Sequence, residues 1–287
     1  MEIVTGYKDD DKLRGSLAAL AHDVFGIDLA TWYVNGFWQD DYIPYSVIED
    51  GKVVSNISVN VCNIKWRSRV HHLAQLGTVM TDEAYRGKGY SRTIMERVLK
   101  DCDRSFEGVY LFAEDHMSGF YEKFGFMRKS EYQCRKKVNI TNPAAIEKIS
   151  MESKEEQARM VDIIRKREQY GDHIMVNNPG LFMFYLTGPM SDFVYYVPSS
   201  EAYVVAEPDG DTLTIYAVFS SEKVSLGEVI SSFGSSIKHV VLAFSPENNT
   251  GFELNKIESE DTVLFVRGDA FANSANDRFM FPLIAQA

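Results

Sequence analysis

The chain has 287 residues, of which 45% are hydrophobic, 25% charged and 13% aromatic, and its formal net charge at pH 7 is −11. This composition indicates a globular protein of one large or two modest domains, and it disfavours a general nucleic-acid binder, which needs a basic face. The sequence contains no run of about 20 apolar residues, so it predicts no membrane span. Aspartates near the start argue against a signal peptide. Three distant cysteines, Cys62, Cys102 and Cys134, favour free thiols in a reducing cytoplasm over a disulfide framework or a zinc site.

Charge is spread unevenly along the chain. Residues 1–50 hold ten acidic residues against three basic ones, whereas residues 123–137 hold six basic residues against Glu131 alone. An acidic region beside a basic one suits a cationic substrate and an anionic cofactor, although an ordinary solvated surface accounts for the same pattern.

Apolar periodicity predicts alternating helices and strands over the first half. In chain order these are a helix over 13–24 ended by Gly26, a short helix over 30–36, strands over 44–49, 53–61 and 71–80, a helix carrying Ile94, Met95, Val98 and Cys102, a buried strand over 108–113, a short helix over 117–124 and a last strand over 130–138. Asp50-Gly51 predicts a tight hairpin turn between the first two strands. The strand–helix–strand order around 71–113 predicts a parallel pair inside a mixed sheet, and the fold class is therefore α+β.

The second half repeats this order in a reduced form. A break at Thr141-Asn142-Pro143 predicts a first domain over 1–140, a linker and charged helix over 141–170, and a second domain over 171–287. The segment VAEPDGDTLTIYAV echoes VIEDGKVVSNISV, HVVLAFS echoes GVYLFAE, and residues 262–267 read as a closing strand. The second half is interpreted as a degenerate copy that has lost a glycine-rich loop; an unrelated α+β domain is the alternative.

The glycine-rich loop before the third helix predicts an anion site. The sequence Arg86-Gly87-Lys88-Gly89-Tyr90-Ser91 follows a strand and opens a helix, and Arg92 adds a further cation. Glycines allow close backbone approach, and a helix N-terminus presents free N–H groups to phosphate. The spacing matches neither the dinucleotide fingerprint nor the Walker loop, so a pyrophosphate loop of another class or a purely structural turn remains.

A second signal is Tyr121 within GFYEKFGF, residues 119–126. Its place after the next strand puts a phenol near the same edge of the sheet. A phenol is protonated at pH 7 and can donate a proton to a departing thiolate. The alternative is a core aromatic residue whose hydroxyl is already hydrogen bonded.

Together the two motifs resemble the GNAT superfamily of N-acetyltransferases. The family's acyl-CoA loop, Gln/Arg-x-x-Gly-x-Gly/Ala, reads here as Arg86, Gly89 and Ser91, and the departure is Ser91, a small residue that caps helices well. The family's later motif, a tyrosine followed by a Gly-Phe stop, matches Tyr121, Gly125 and Phe126. An active copy followed by a degenerate copy is similar to the tandem enhanced-intracellular-survival type, whose third, sterol-carrier-like domain a chain of 287 residues is too short to hold.

The resemblance implies acetyl transfer from acetyl-CoA to a primary amine, with no metal and no covalent enzyme intermediate. It implies that the backbone of Val79, Met80 and Thr81 pairs with the pantetheine arm, that the amides of 87–92 cradle the pyrophosphate, and that Tyr121 protonates the CoA thiolate. In the tandem subgroup the C-terminal carboxylate acts as the base, a role that falls here to Ala287 and that the missing third domain puts in question.

The residues alone leave the base and the acceptor site open. His71 and His72 at a strand start are candidate bases, and Asp40, Asp41, Glu114 and Asp115 are candidates for attracting a cationic amine. The aromatic stretch with Trp32, Phe37 and Trp38 suits a cationic amine, although core packing accounts for it equally. The acceptor is a small molecule or a protein lysine; homo-oligomer formation stays open, and a non-catalytic acyl-CoA-binding module is the alternative function.

Overall fold

The structure is a computed structural model that describes residues 2–66, 69–166, 168–221, 224–259, 261–272, 274 and 276–287. The described residues form two eight-stranded mixed sheets with helices packed on them. In spatial order, the first sheet contains β1 (Ile3–Thr5), β2 (Tyr42–Glu49), β3 (Lys52–Trp66), β4 (Arg69–Thr81), β5 (Gly108–Ala113), β16 (Val263–Arg267) and β6 (Met127–Lys129), with β10 (Ile174–Val176) paired to β3.

In the same way, the second sheet contains β15 (Glu253–Lys256), β7 (Tyr132–Lys137), β14 (His239–Leu242), β13 (Thr212–Ser220), β12 (Ala202–Asp209), β11 (Val194–Val197) and β8 (Glu147–Lys148), with β9 (Glu168–Gln169) paired to β13. The helices are α1 (Asp11–Phe25), α2 (Leu29–Val34), α3 (Tyr90–Ser105), α4 (Ser118–Tyr121), α5 (Lys154–Lys166), α6 (Pro179–Leu186) and α7 (Leu226–Ser231). Within the described ranges, no helix is long and apolar enough to cross a membrane.

The predicted local signals of the first half are confirmed. Asp10 caps α1 through its carboxylate, and Gly26 ends the helix in the left-handed conformation with φ of 70°. Asp50 and Gly51 both have positive φ, as a tight hairpin turn between β2 and β3 requires. The mixed α+β sheet follows from these elements.

The parallel pair at the centre of the first sheet is also confirmed, and its pairing is short. β4 and β5 pair in parallel from Leu73 opposite Gly108 to Leu76 opposite Leu111. β4 continues to Thr81, whereas β5 ends at Ala113. The two strands therefore separate after Leu76 and open a cleft at their carboxyl ends.

Two predicted strands are present but lie in the other sheet, because the sheets exchange strands. The predicted strand over 130–138 corresponds to β7, which pairs with β14 and β15 in the second sheet. The predicted closing strand of the second half is β16, which lies between β5 and β6 in the first sheet. A short apolar run does not indicate which strand it pairs with, because it fits a buried position in either sheet equally well. The division at residue 140 stays a prediction, and the sheets do not follow it.

In the second sheet, the space between the corresponding parallel strands, β13 and β14, is filled. β13 and β14 pair in parallel from Thr212 to Ile215, and then residues 168–172 enter between them. β9 pairs with Phe219 and Ser220, the Tyr170 amide donates to the Val218 carbonyl at 2.8 Å, and Asp172 bridges to Ser245. The chain itself thus occupies the space that stays open between β4 and β5.

The polar face of β3 is buried, contrary to what simple alternation suggests. Asn56, Ser58 and Asn60 are almost fully inaccessible and lie on the face opposite to Ile57 and Val59. A bulge opposite Val47 and Ile48 moves Val53 onto the polar side, because the register shifts there by one residue. These amides and hydroxyls therefore bond to one another within the core.

The C-terminal segment 279–287 lies between the two halves. Phe281, Ile284 and Ala285 belong to a core that also takes side chains from β3, β4, α5, α6 and β13. The Leu283 amide donates to the Ala243 carbonyl, and the Tyr185 hydroxyl donates to the Gln286 carbonyl at 2.5 Å. This anchoring directs Ala287 toward β4.

Candidate functional site

The glycine-rich loop has an open helix N-terminus. Gly87 and Gly89 have φ of 79° and 81°, and a Cβ at either position would meet no atom within 4 Å. Gly89 is the N-cap of α3, and no side chain caps the first amides of this helix. Left-handed glycines and unclaimed N–H groups at the start of a 16-residue helix form a concavity suited to a pyrophosphate.

The cations of this loop are exposed, and two of them contact neighbouring residues. Lys88 lies over the ring of Tyr85 at 4.2 Å, and the Arg86 Nε donates to the Thr81 carbonyl at 3.4 Å. The Tyr90 hydroxyl donates to Glu49 at 2.7 Å, and this tethers the start of α3 to β2. The loop therefore presents positive charge beside the free amides.

Ser91 does not cap the helix, although its residue type suggested that it would. Its hydroxyl bonds the Thr81 hydroxyl at 2.8 Å, and Thr81 in turn bonds the Ser55 hydroxyl at 2.8 Å. These three residues link α3, β4 and β3. Where the family has glycine or alanine, the Ser91 hydroxyl thus joins the loop to the end of β4.

Tyr121 lies in an apolar slot close to the opening of the cleft. Its side chain is 3% exposed and packs against Phe126 and against Phe265 of β16, with ring centroids 5.3 Å apart in the second pair. Among the described residues, its hydroxyl has no hydrogen-bond partner. Burial raises the pKa of Tyr121 to about 12, so the phenol keeps its proton at neutral pH.

A bulge marks the point where β4 leaves β5. Ser58 pairs with Gly77 and Asn56 with Met80, so Thr78 and Val79 together oppose Ile57. Thr78 has a φ of 44°, which is rare for a β-branched residue. The predicted pantetheine residues Val79, Met80 and Thr81 follow directly; the Met80 side chain is buried in the core formed with α1 and α2.

The end of the chain reaches this bulge. A Cβ built on Gly77 would lie 2.6 Å from the main-chain carbon and 2.6 Å from the carbonyl oxygen of Ala287. Only glycine leaves room for this approach. Ala287 is exposed as a residue, while its main-chain carbon and oxygen lie against Gly77.

The aromatic stretch near α2 is mostly core. Trp32, Trp38 and Tyr42 are buried; Trp32 stacks on Trp38, and Tyr42 meets both rings edge-on. The Trp32 indole donates to the Gly180 carbonyl at 2.8 Å. Trp32 is therefore not available to a substrate, contrary to the expectation of an acceptor contact. Phe37 is half-buried and packs against the cores of both halves.

Three of the four acidic candidates already have basic partners. Asp40 pairs with Lys8 at 3.3 Å, Glu114 with His116 at 3.0 Å and Asp115 with Arg128 at 2.7 Å. Asp41 is half-buried, and burial together with the neighbouring Asp40 raises its pKa. Of this set, Asp41 is the carboxylate without an ion-pair partner among the described side chains.

His72 lies at the wrong end of β4 for a base. It precedes Gly77 by five residues, which is roughly 16 Å at about 3.3 Å per residue. Its ring stacks on Phe106 at 4.7 Å and its Nδ1 bonds Asn63 at 2.9 Å. The expectation that His72 reaches the cleft is therefore wrong, because the cleft opens at the carboxyl end of the strand.

Sequence reasoning missed the polar residues behind the bulge, namely Asn56, Ser58 and Thr78. The available signal was the run of polar residues Asn56, Ser58 and Asn60 on one face of an otherwise apolar strand. Sequence reasoning also missed Phe265, since nothing local shows that β16 joins the first sheet.

Comparison with known proteins agrees with this geometry. Residues 30–128 match the family model of the acetyltransferase (GNAT) domain. The chain is 34% identical over 58 residues to the protein ElaA of Escherichia coli, a match that spans 20% of this chain and 38% of ElaA.

Two solved structures show the same fold along almost the whole chain. One is a conserved Enterococcus faecalis protein described as a probable N-acyltransferase, with a TM-score of 0.62 and 15% identity over 93% of this chain and 71% of that one. The other is Eis1 from Mycobacterium abscessus, with a TM-score of 0.56 and 10% identity over 92% of this chain and 73% of that one.

The family match identifies a GNAT acetyltransferase domain over residues 30–128, and the mixed α/β fold of the described residues agrees with it.

Proposed function

We propose that the protein is an N-acetyltransferase that moves an acetyl group from acetyl-CoA to a cationic primary amine by direct attack in a ternary complex. Three observations support this proposal. The N-terminus of α3 has no side-chain cap, Tyr121 shares a hydrophobic cluster with Val79 of β4 and Tyr90 of α3, and Ala287 approaches Gly77 of β4.

The donor site fits acetyl-CoA. The unclaimed amides after Gly89 and the cations Arg86, Lys88 and Arg92 would hold the pyrophosphate. The free edge of β4 over Val79–Thr81 would bind the pantetheine arm as a strand, because β5 pairs with β4 only up to Leu76. Bound there, acetyl-CoA supplies an activated thioester.

Tyr121 would be the general acid. The phenol stays protonated because burial raises its pKa to about 12, and its hydroxyl has no partner among the described residues that would compete for the proton. Proton donation to the departing thiolate contributes about 10²–10⁴-fold in comparable steps. Phe265 and Phe126 would hold the ring in position.

The base would be the α-carboxylate of Ala287, taken as the terminal residue. An α-carboxyl group has a pKa of about 3.3–3.7 and is therefore an anion at neutral pH. Its place against Gly77 sets it beside the bulge, where it would attract an ammonium group and accept its proton. Asp41 would add negative charge that attracts a cationic acceptor.

Three free, buried cysteines favour a reducing compartment, and we place the reaction in the cytoplasm. The acceptor class is a small polyamine-like or aminoglycoside-like molecule or a protein lysine.

The test is a thiol-release assay with acetyl-CoA against a panel of amines, run with wild type and Tyr121→Phe. We expect amine-dependent release of CoA that falls at least about tenfold in the variant, with acetyl-CoA raising the melting temperature of both proteins. A thermal shift without release from any amine would instead support a non-catalytic acyl-CoA-binding module.

A further inference from the structure

The bulge at Thr78 requires support from elsewhere in the fold. A bulge leaves the backbone groups of its extra residue without ladder partners, and Thr78 also holds a left-handed φ of 44°. Both features oppose a regular strand. Side chains from other strands must therefore fix this conformation.

Asn56 supplies most of that support. Its Nδ2 donates to the Thr78 carbonyl at 3.0 Å and to the Thr78 hydroxyl at 3.2 Å. It also donates to the Ser58 hydroxyl at 2.9 Å, which accepts from the Thr78 hydroxyl at 2.8 Å. The carboxamide on β3 thus replaces the backbone bond that the bulge removes.

Asn56 is itself oriented by a buried chain of hydroxyls. Ser46 donates to its Oδ1 at 2.8 Å, and Tyr7 bonds Ser46 at 2.5 Å. A hydroxyl carries one hydrogen, so the Ser46 proton points to Asn56 and Tyr7 must donate to Ser46. Tyr42 bonds the Thr78 hydroxyl at 2.6 Å and, by the same count, donates to it. The hydroxyl protons of Tyr7, Ser46, Tyr42 and Thr78 therefore each have one acceptor.

This series of hydrogen bonds ends at Thr78, where the proposed reaction occurs. Thr78 follows Gly77, which contacts Ala287, and it precedes the strand edge that would bind the acyl donor. The bulge therefore sets the distance between donor and base.

We infer that Asn56 is a positioning residue for acyl transfer, which holds the Thr78 bulge and thereby aligns the donor strand with the Ala287 carboxylate. This inference rests on the proposed function. Asn56 is buried beneath the strand and would touch neither substrate.

The test compares Asn56→Leu, which keeps the volume and removes the amide, with Gln157→Leu as a matched control. Gln157 is also a buried carboxamide, on α5, and bonds the Met151 carbonyl. The measurements are kcat, KM for acetyl-CoA, melting temperature and amide hydrogen exchange over residues 76–82. We expect Asn56→Leu to lower kcat at least about tenfold with KM changed less than about threefold, and to speed exchange in this segment. Gln157→Leu should lower only the melting temperature.

Two further variants keep the inference testable. Glycine adopts positive φ freely, so Thr78→Gly added to Asn56→Leu should restore kcat by about threefold or more. Should Asn56→Leu fail to fold, Ser46→Ala removes one bond to the amide and should lower kcat by about two- to fivefold.

Equal kcat values in Asn56→Leu and Gln157→Leu would overturn the positioning role, and so would unchanged exchange over 76–82. Absence of CoA release by the wild type would instead defeat the proposed function, and the catalytic part of this inference with it. Hydrogen exchange then decides separately whether Asn56 holds the bulge.

Discussion

Gly77 and Ala287 are in direct contact although they are separated by most of the chain. No Cβ fits at Gly77, since it would lie 2.6 Å from the main-chain carbon of Ala287. The missing side chain on β4 is therefore the space that the end of the chain occupies. This contact ties the second half of the protein to the cleft of the first sheet.

Substituting Gly77→Ala should displace the end of the chain. We expect a loss of about 1–3 kcal/mol in stability from overpacking and a fall in kcat of at least about tenfold. Gly15→Ala is the control, because Gly15 lies in α1 and a methyl group added there would have no atom within 4 Å. Chemical denaturation and steady-state kinetics measure both effects. A Gly77→Ala protein with wild-type kcat would show that the contact has no catalytic role.

Removing or moving the Ala287 carboxylate should slow the reaction without weakening donor binding. Deletion of Ala287, or extension by one glycine, takes the anion away from the bulge. We expect kcat to fall by about 10²-fold or more, as for the loss of a general base, with KM for acetyl-CoA unchanged within about threefold. Isothermal titration with acetyl-CoA checks the binding. Full activity of both variants would transfer the role of base to another group.

Glu131 should make the stability of the protein depend on pH. It is buried beneath the C-terminal segment, where its Oε1 accepts from the Phe281 amide at 2.9 Å. Burial raises its pKa from 4.5 to about 8. The folded protein therefore keeps a proton that the unfolded chain loses above about pH 4.5, so this contribution to stability is full below that pH and is lost as the pH rises through about 8.

Glu131→Gln keeps an acceptor for the Phe281 amide and removes the titration. Between pH 5 and pH 8 we expect the melting temperature of the wild type to fall more steeply than that of Glu131→Gln. Both proteins are measured at the same concentration and ionic strength. Parallel curves for the two proteins would refute a buried, protonated Glu131.

Strand β16, which the second half of the sequence contributes to the first sheet, should affect catalysis through Tyr121. Phe265 on β16 and Phe244 in the second core are both fully buried, and only Phe265 contacts the Tyr121 ring. Substitution of either by alanine should cost about 3–5 kcal/mol of stability. Only Phe265→Ala should also lower kcat, at a temperature where both variants are folded. Equal kcat values would mean that Tyr121 needs no support from the second half.

Local elements of this fold follow from the sequence, whereas their long-range partners do not. The hairpin at Asp50-Gly51, the loop at Gly87 and Gly89 and the parallel pair of β4 and β5 have signals within a few residues. The position of β16 has none, because its apolar run fits either sheet. The proposed site divides in the same way: motifs predict the loop and Tyr121, whereas the proposed role of Asn56 depends on contacts across three strands.

The measurement that tests the central claim most directly is the transfer of a radiolabelled acetyl group from acetyl-CoA to a primary amine, compared with the same amine fully methylated at nitrogen. We expect label on the primary amine in an amount equal to the CoA released, and none on the methylated form, which has no proton to lose. Label recovered only as free acetate, or retained on CoA with every amine tested, would contradict acetyl transfer to an amine by this protein.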